Sequence, residues 1–255
     1  MMPPTPTAPP EADRLSEAAD AASGGRGKRK YVRAVFEQIA PTYDLLNHLL
    51  SLNIDRQWRR KALAALEWQR NPAGVFLDLC AGTMDVSAAL AETEGFTGRV
   101  VALDFAEPML RAAEGKAPPG TALPVVADAL HIPLGDASIA GAILAFGARN
   151  LAGLDEGLRE AHRVLEPGGR LVILEFTTPR LPLVRFAYLA YFHYLLPIIG
   201  GMISGHRSAY KYLPESVAHF PAEAELADRM ASSGFAHVHY QSLTFGITAI
   251  HVGTK

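Results

Sequence analysis

Three carboxylates in this chain stand where the polar edges of a nucleoside can be read. Asp78 begins the run Asp78-Leu79-Cys80-Ala81-Gly82-Thr83, in which a glycine follows a short apolar stretch and precedes a helical one. A glycine at such a turn lets a ligand approach the backbone closely, and the helix start behind it favours a carboxylate or phosphate. Asp104 closes the next apolar run, 22 residues after Gly82, and an acid there can accept both hydroxyls of a ribose. Asp128-Ala129 closes a third run, where a carboxylate beside an exposed backbone amide can read an adenine edge. Any one of these acids alone reads equally well as a helix cap or a solvated loop. Three in register at successive strand ends form a stronger pattern.

The elements that must hold these acids follow from hydrophobic periodicity. Val75–Cys80, Arg99–Asp104, Pro124–Asp128, Ile139–Phe146 and Arg170–Phe176 are apolar runs of strand length. Met84–Glu92, Glu107–Glu114 and Leu154–Leu165 between them have helical character. Near-continuous apolar strands alternating with helices predict a parallel sheet covered on both faces, which binds ligands at the carboxyl ends of its strands. A last helix over Ala222–Ser232 ends at Gly234, and His237–Ser242 and Phe245–Val252 are expected to pair around Leu243-Thr244. The expected fold class is α/β: an open, Rossmann-like sheet, mostly parallel, with a C-terminal antiparallel strand.

Before the first strand, apolar residues recur at helical spacing. Val32, Val35, Phe36 and Ile39 form one stripe, ended by Pro41, and Leu45, Leu46, Leu49, Leu50 and Leu52 form another. Leu63 and Leu66 mark a third helix, with Asp55 as its expected N-cap. Together they define a helical cap over residues 30–70. Residues 1–27, rich in Pro, Ala, Ser and Gly, have little to bury and are expected to form a disordered tail, leaving 28–255 as one domain. The basic cluster Arg26, Lys28, Arg29, Lys30 and Arg33 is either a solvated helix start or a weak attraction to an anionic surface, worth about 1 kcal/mol per near-surface charge.

Residues 181–215 read as an apolar helical insertion. Its centre, Leu183–Ser204, approaches the length of a bilayer span, but Arg185, His193, Pro197, Gly200 and Gly201 interrupt it. Strands of one sheet flank it on both sides, which excludes a spanning helix. It is either a packed core helix or an apolar lid that also touches a membrane. Hydrophobic residues make up 49% of the 255 and charged ones only 20%, enough for a large core. A net charge of −2 gives no reason to expect a nucleic-acid partner. The single cysteine, Cys80, excludes an internal disulfide and fits a reducing cytoplasm. No metal site is expected, and no basic-then-apolar leader opens the chain.

Asp78-x-x-x-Gly82, Asp104, Asp128-Ala129 and the turn Arg163-Val164-Leu165-Glu166-Pro167-Gly168-Gly169 resemble the class I methyltransferases. Within that class the chain resembles the ubiquinone/menaquinone C-methyltransferase family. The carrying segments are Phe36-x-x-Ile39-Ala40-Pro41-x-Tyr43-Asp44-x-x-Asn47, Phe146-Gly147-Ala148-Arg149-Asn150 and Leu174-Glu175-Phe176. Ser208-x-Tyr210-x-Tyr212-Leu213-x-Glu215-Ser216 and Leu243-Thr244-Phe245-Gly246 complete the set, so the resemblance spans roughly residues 30–255. It implies methyl transfer from S-adenosylmethionine to the ring of a prenylated quinol, demethylmenaquinol first and a ubiquinone-pathway benzoquinol as the alternative. It places cofactor contacts on Thr83, Asp104, Asp128, Ala129 and Ala145, with Asp78 and Gly82 shaping the pocket at the methionine end. It also implies a cytoplasmic protein with peripheral contact at the inner face of the membrane; nothing in the sequence fixes the oligomeric state.

Two positions depart from the family pattern. Met84 stands where members usually carry glycine, and Ala145 where serine is common. A β-carbon at a positive φ costs about 1–2 kcal/mol. These departures leave open an inactive cofactor-binding scaffold, beside methylation of another phenol or a lipid. A quinol becomes a strong carbon nucleophile when its hydroxyl ionises, so a methyltransferase of this kind should favour the phenolate. Arg149 is suited to stabilise that charge and, hardly ever losing its proton, is a poor base; the bland alternative is a structural salt bridge. Tyr43, Asp44, Asn47 and Asn150 are candidates for orienting the ring. His193 is a candidate base or a packed histidine.

Overall fold

The computed structural model describes residues 11–24, 27–195 and 207–255. Seven strands form one sheet in the order β3-β2-β1-β4-β5-β7-β6. They are β1 (Val75–Leu79), β2 (Arg99–Asp104), β3 (Ala122–Val126), β4 (Ile139–Ala145), β5 (Leu165–Phe176), β6 (Ala236–Leu243) and β7 (Thr248–Thr254). The first five run parallel, and β7 lies antiparallel between β5 and β6. The expected α/β fold class is therefore the observed one. Strand order reverses beside β1, so the crevice for a ligand opens at the carboxyl ends of β1 and β4.

The apolar runs become central strands because both faces are covered. Leu77, Leu103, Leu144, Leu171 and Ile173 pack on one side with Leu158, Met230 and Phe235. Phe76, Val100, Ile143, Val172 and Leu174 pack on the other with Trp58, Leu63 and Leu90. The helices on these faces include α4 (Ile54–Ala65), α5 (Asp85–Ala91), α6 (Glu107–Ala112) and α7 (Leu154–Val164). Several strand boundaries differ from expectation, and β5 begins at Leu165, so that Glu166-Pro167-Gly168-Gly169 lies within it. β3 ends at Val126, so Asp128 and Ala129 stand in the loop beyond it. β7 starts at Thr248 because a 3-10 turn, Thr244–Gly246, with Thr244 and Phe245 at positive φ, lengthens the connection.

The preamble is helical, in finer pieces than its periodicity suggests. α2 (Lys28–Ile39) buries Val32, Val35 and Ile39, and a 3-10 turn at Ala40–Thr42 carries Pro41 into α3 (Tyr43–Leu50). Of the second leucine stripe, Leu45, Leu49 and Leu52 are exposed, and the side chains of Leu46 and Leu50 lie outside the described residues. Asp55 is not the N-cap of α4. Asn53 takes that place with φ 60°, and Asp55 is buried in the first turn, accepting from Ser51 Oγ at 2.6 Å.

Residues 11–22, assigned above to a disordered tail, form α1 (Glu11–Ala22). Small side chains are the physical reason. Ala18, Ala21 and Ala22 bury against Val32 and Tyr212, and an alanine face needs no bulk to close on a neighbouring helix. The insertion contains α8 (Pro182–Ala190), which runs into a π turn at Tyr191–Leu195, and α9 (Arg207–Ala218). Leu196, Ile198, Ile199 and Met202 lie outside the described residues, as does the side chain of His193. α10 (Glu223–Ser232) follows. Among the described residues, no helix is long and apolar enough to cross a membrane.

Met84 occupies the left-handed region, at φ 61° and ψ 25°. Its side chain turns away from the crevice and packs, 5% exposed, with Ala102, Leu110 and Ala113. Glycine there would relieve about 1–2 kcal/mol of backbone strain. It would also remove a buried methionine, worth about 2–5 kcal/mol when truncated. Packing wins. Met84→Gly is expected to lower stability by about 2 kcal/mol in denaturant unfolding, with cofactor affinity by calorimetry unchanged. A stabilised variant would show that strain outweighs the contact.

Candidate functional site

Two cavities meet at the carboxyl ends of β1 and β4. The first is a cleft of about 660 Å³ whose lining includes Gly82, Asp104, Asp128, Ala129 and Ala145. Gly82 has φ 53°, and a Cβ there would meet Met109 Cε at 3.4 Å. Asp104 ends β2, almost fully buried. Its Oδ2 accepts from the Gly82 amide at 2.9 Å and its Oδ1 from the Ala106 amide at 2.8 Å. Burial raises its pKa and these amide bonds oppose the rise. Each oxygen keeps a lone pair free for a further donor.

Asp128 presents a second carboxylate to the same cleft. Its Oδ1 accepts from the Leu130 amide at 3.0 Å. Arg29 Nη2 approaches Oδ2 to 2.8 Å, yet outside hydrogen-bond geometry, so that buried oxygen still lacks a donor. An orphaned acceptor in a cleft lined by Phe105, Met109 and Ala129 suits the amino edge of a flat base. These residues fit an adenosine-containing cofactor.

Asp78 and Thr83, carried from the resemblance as cofactor residues, are not in this lining. Asp78 is 1% exposed and accepts from the Ser87 amide at 3.0 Å and the Ser87 hydroxyl at 2.6 Å. Burial pushes its pKa up to about 7, against those two bonds. Its place is to fix the start of α5, and so the turn that Gly82 makes. Thr83 Oγ1 bonds Asp44, which pairs with Lys116; Lys116 Nζ lies 2.8 Å from Asp85. That ladder ties the cap helix α3 to the crevice turn.

The second cavity, about 1330 Å³, is walled by aromatic and aliphatic groups, among them Ile39, Trp58, Phe176, Tyr188, Phe192 and Leu213. Phe36, Tyr43 and Phe146 line both cavities and form the partition between them. The backbone beside it is forced. Cys80 and Phe146, following β1 and β4, have φ of 58° and 60°. A Cβ on Gly147 would stand 2.5 Å from Cys80 Cβ, so the two strand ends can come together only with glycine there. Strained residues of this kind cluster at functional sites.

The polar groups of the chamber are few. Tyr43 is there, its hydroxyl pKa raised by burial against the pull of Asn47, Arg149 and Arg59. Asn47 lines the chamber, while Asn150 lines the cleft and accepts from Tyr212 Oη at 3.2 Å. Arg149 also lines the chamber and is 8% exposed. Its Nη1 donates to Glu175 Oε1 at 2.7 Å and to the Phe146 carbonyl at 2.5 Å, while its amide donates to Glu175 Oε2 at 3.2 Å. Burial alone would lower its pKa, but Glu175 raises it. The salt-bridge alternative is thus present, and it coexists with a place in the chamber wall. Sequence reasoning gave no role to Glu175, Arg59, Trp58 or Lys116. Only the Asp55/Arg59 spacing of four on one helix could have signalled any of them.

Comparison with known proteins adds a family to this geometry. The model of the ubiE/COQ5 methyltransferase family matches residues 25–255. A demethylmenaquinone methyltransferase of Thermus thermophilus is 46% identical over 87% of this chain and 100% of its own length. A ubiquinone/menaquinone biosynthesis C-methyltransferase of Geobacter sulfurreducens is 41% identical over 89% of this chain and 90% of its own. Among solved structures, an S-adenosylmethionine-dependent methyltransferase of Thermotoga maritima, described as a possible histamine N-methyltransferase, superposes with a TM-score of 0.61. The overlap covers 88% of this chain and 99% of that one at 18% identity, a likeness of fold.

The Arg149–Glu175 pair sets a testable energy. Removing one partner of a buried pair costs about 3–5 kcal/mol, because the other charge stays buried alone. Arg149→Met should therefore lose several kcal/mol in urea unfolding, and Arg149→Met with Glu175→Leu should regain most of it. A single variant as stable as the wild type would show that the pair is not structural.

Proposed function

This chain belongs to the ubiE/COQ5 methyltransferase family, and from that premise we infer that it transfers a methyl group from S-adenosylmethionine to a ring carbon of demethylmenaquinol, giving menaquinol. The observation that carries this reading is an aromatic-walled chamber separated from the nucleoside cleft by three shared side chains, Phe36, Tyr43 and Phe146. A flat quinol ring with an isoprenoid tail is mostly apolar and large, as the chamber is, and its hydroxyls need only a few polar partners.

Bound in the cleft, the cofactor supplies an electrophilic methyl on a sulfonium. The chain's own residues do the rest. Asp104 accepts the ribose hydroxyls, Asp128 and the Ala129 amide meet the adenine edge, and Gly82 admits the methionine end. Asp78 and Thr83 act through α5 and Asp44. Arg149 donates to the ring oxygen next to the reacting carbon and stabilises negative charge as that hydroxyl ionises. The ionised oxygen makes the adjacent ring carbon the nucleophile toward the methyl that a cofactor in the cleft would present; after transfer that carbon would lose its proton and the oxygen regain one, so the net release is one proton. Tyr43, shared by both cavities, holds the ring, and Asn150 acts through Tyr212, from whose hydroxyl it accepts. The dry aromatic wall keeps water from taking the methyl group.

Exposed apolar groups gather around the chamber. Leu181, Leu183 and Phe186 on and before α8, Tyr194 and Leu195 in the π turn, Leu52 after α3, and Phe245 are all exposed. From Thr177 to Leu213 the sequence has no acid and carries Arg180, Arg185, Arg207 and Lys211. Exposed apolar groups beside the chamber, in a segment whose sequence has cations and no acid, support peripheral contact with an anionic bilayer.

Two measurements test this reading. The purified protein should move a labelled methyl from S-adenosylmethionine to demethylmenaquinol in preference to a demethylated benzoquinol, and a deletion strain should accumulate the demethylated quinone. Asp104→Ala leaves donors unpaired, at a cost of about 1–3 kcal/mol, so cofactor affinity should fall about tenfold or more with the fold intact. For the membrane, Leu183→Glu with Phe186→Glu removes two side chains worth about 1.5–3 kcal/mol each. Sedimentation with anionic vesicles should drop more than tenfold while turnover of a short-chain quinol persists. Unchanged vesicle binding would sink the membrane contact.

A further inference from the structure

Arg59 is the second guanidinium of the chamber. It lies on α4, 12% of its side chain is exposed, and it lines the cavity together with Arg149. One nitrogen bonds Asp55, and Nη2 stands 3.6 Å from Asp85, too far for a hydrogen bond. A guanidinium carries more N–H donors than Asp55 uses, and the bond to Asp55 is its side chain's hydrogen bond among the described residues.

The two arginines sit against different rings of one aromatic pair. Arg59 Cζ is 5.6 Å from the centroid of Phe146, and Arg149 Cζ is 5.5 Å from that of Phe176. The rings are 4.7 Å apart and tilted by 34°. Around them the chamber divides. Arg149 influences Tyr188 and Tyr212, and Tyr43, in the partition, is influenced by both arginines. On the Arg59 side stand Asp55, Ser51 and Thr244, the last held by Trp58 Nε1 at 2.8 Å. The chamber therefore offers a cationic donor at two separate places.

A 1,4-hydroquinone has an oxygen on each of two opposite ring edges, and one activates the carbon to be methylated. We propose that Arg59 holds the far oxygen while Arg149 holds the activating one, so that Arg59 is a positioning residue that fixes which ring carbon faces the cofactor. This rests on the quinol reading above. The aromatic slab supplies the plane in which the ring lies, and the two guanidiniums supply its in-plane register. With one donor alone the ring could turn about that single contact and present another carbon.

The test compares a prenylated 1,4-naphthohydroquinone with 3-prenyl-1-naphthol, which keeps the activating hydroxyl and lacks the far one. Losing a hydroxyl that a buried donor expects costs about tenfold or more in kcat/KM. The second oxygen also enriches the ring, so the quantity read is the change in the diol-to-phenol ratio on substitution. Arg59→Met should lower that ratio at least about tenfold, mainly through KM for the diol. Arg59→Lys should keep part of it, and Arg149→Lys should lower kcat for both acceptors alike. If Arg59→Met does not fold, Arg59→Gln, which keeps a donor for Asp55, is read in the same way. A ratio unchanged by either variant, or an equal loss on both acceptors, overturns the proposal. A wild type that methylates neither acceptor overturns the quinol reading itself, and is distinct from a wild type that methylates the diol with Arg59 indifferent.

Discussion

The buried pair of Arg149 and Glu175 holds the arrangement together. Glu175 is 1% exposed near the end of β5, and it receives both the guanidinium and the amide of Arg149 from the segment after β4. The same guanidinium takes the Phe146 carbonyl. One side chain thus ties two strand ends and the partition residue Phe146 into a unit. Two isolated charges in this setting would be unfavourable by several kcal/mol each. The bonds they exchange offset much of that, and what remains is a requirement on geometry: if Phe146 shifts, the pair loses its third contact. Arg149 is thus held in one geometry by protein groups alone.

That constraint explains where strain collects. Cys80, Met84 and Phe146 all sit in the left-handed region within a few residues of the crevice. Cys80 and Phe146 turn the chain so that adjacent strands can close on Gly147, and Met84 starts α5. The sheet below is regular and dry, and it can carry such local cost. Burial of the Cys80 thiol also raises its pKa well above the ordinary value, so the one cysteine at the cleft stays a thiol. Its contribution is shape.

The sequence was most legible where burial on both faces left no choice. β1, β2 and β4 are visible as near-continuous apolar runs, and the acid ending β2 is visible with them. Asp128 was visible as an acid but misplaced by two residues, because β3 is an edge strand with Leu123 and Val126 exposed and lacks the two-sided burial that marks a strand end. The leucines of α3 are legible as a helical stripe, but spacing does not say whether a stripe is covered, and Leu45 and Leu49 are exposed. α1 was hidden because alanine burial leaves almost no hydropathy signal. Asp78 and Thr83 come from the family resemblance, Asp78 as a residue shaping the pocket, and a shared motif cannot distinguish a carboxylate that touches a ligand from one that bonds the next helix. Glu175 was invisible as half of a pair, since its partner is 26 residues away.

The two cavities differ in how they treat charge, and that difference is the last link from fold to chemistry. The cleft presents carboxylates, Asp104 and Asp128, held by backbone amides from strand-end loops; it suits hydroxyls, an amine and a cationic sulfonium. The chamber presents guanidiniums in an aromatic wall; it suits oxygens that gain negative charge. Attraction between the two sides of the partition would grow as the quinol ionises, because an electron-rich ring would then face a cationic methyl donor. In water that attraction would be weak, since charges at contact distance are worth only about 1 kcal/mol there. Beside Phe36, Tyr43 and Phe146, the side chains common to both cavities, the apolar lining would make it stronger. The fold places opposite preferences on two sides of one wall, and the reaction is the process that joins them.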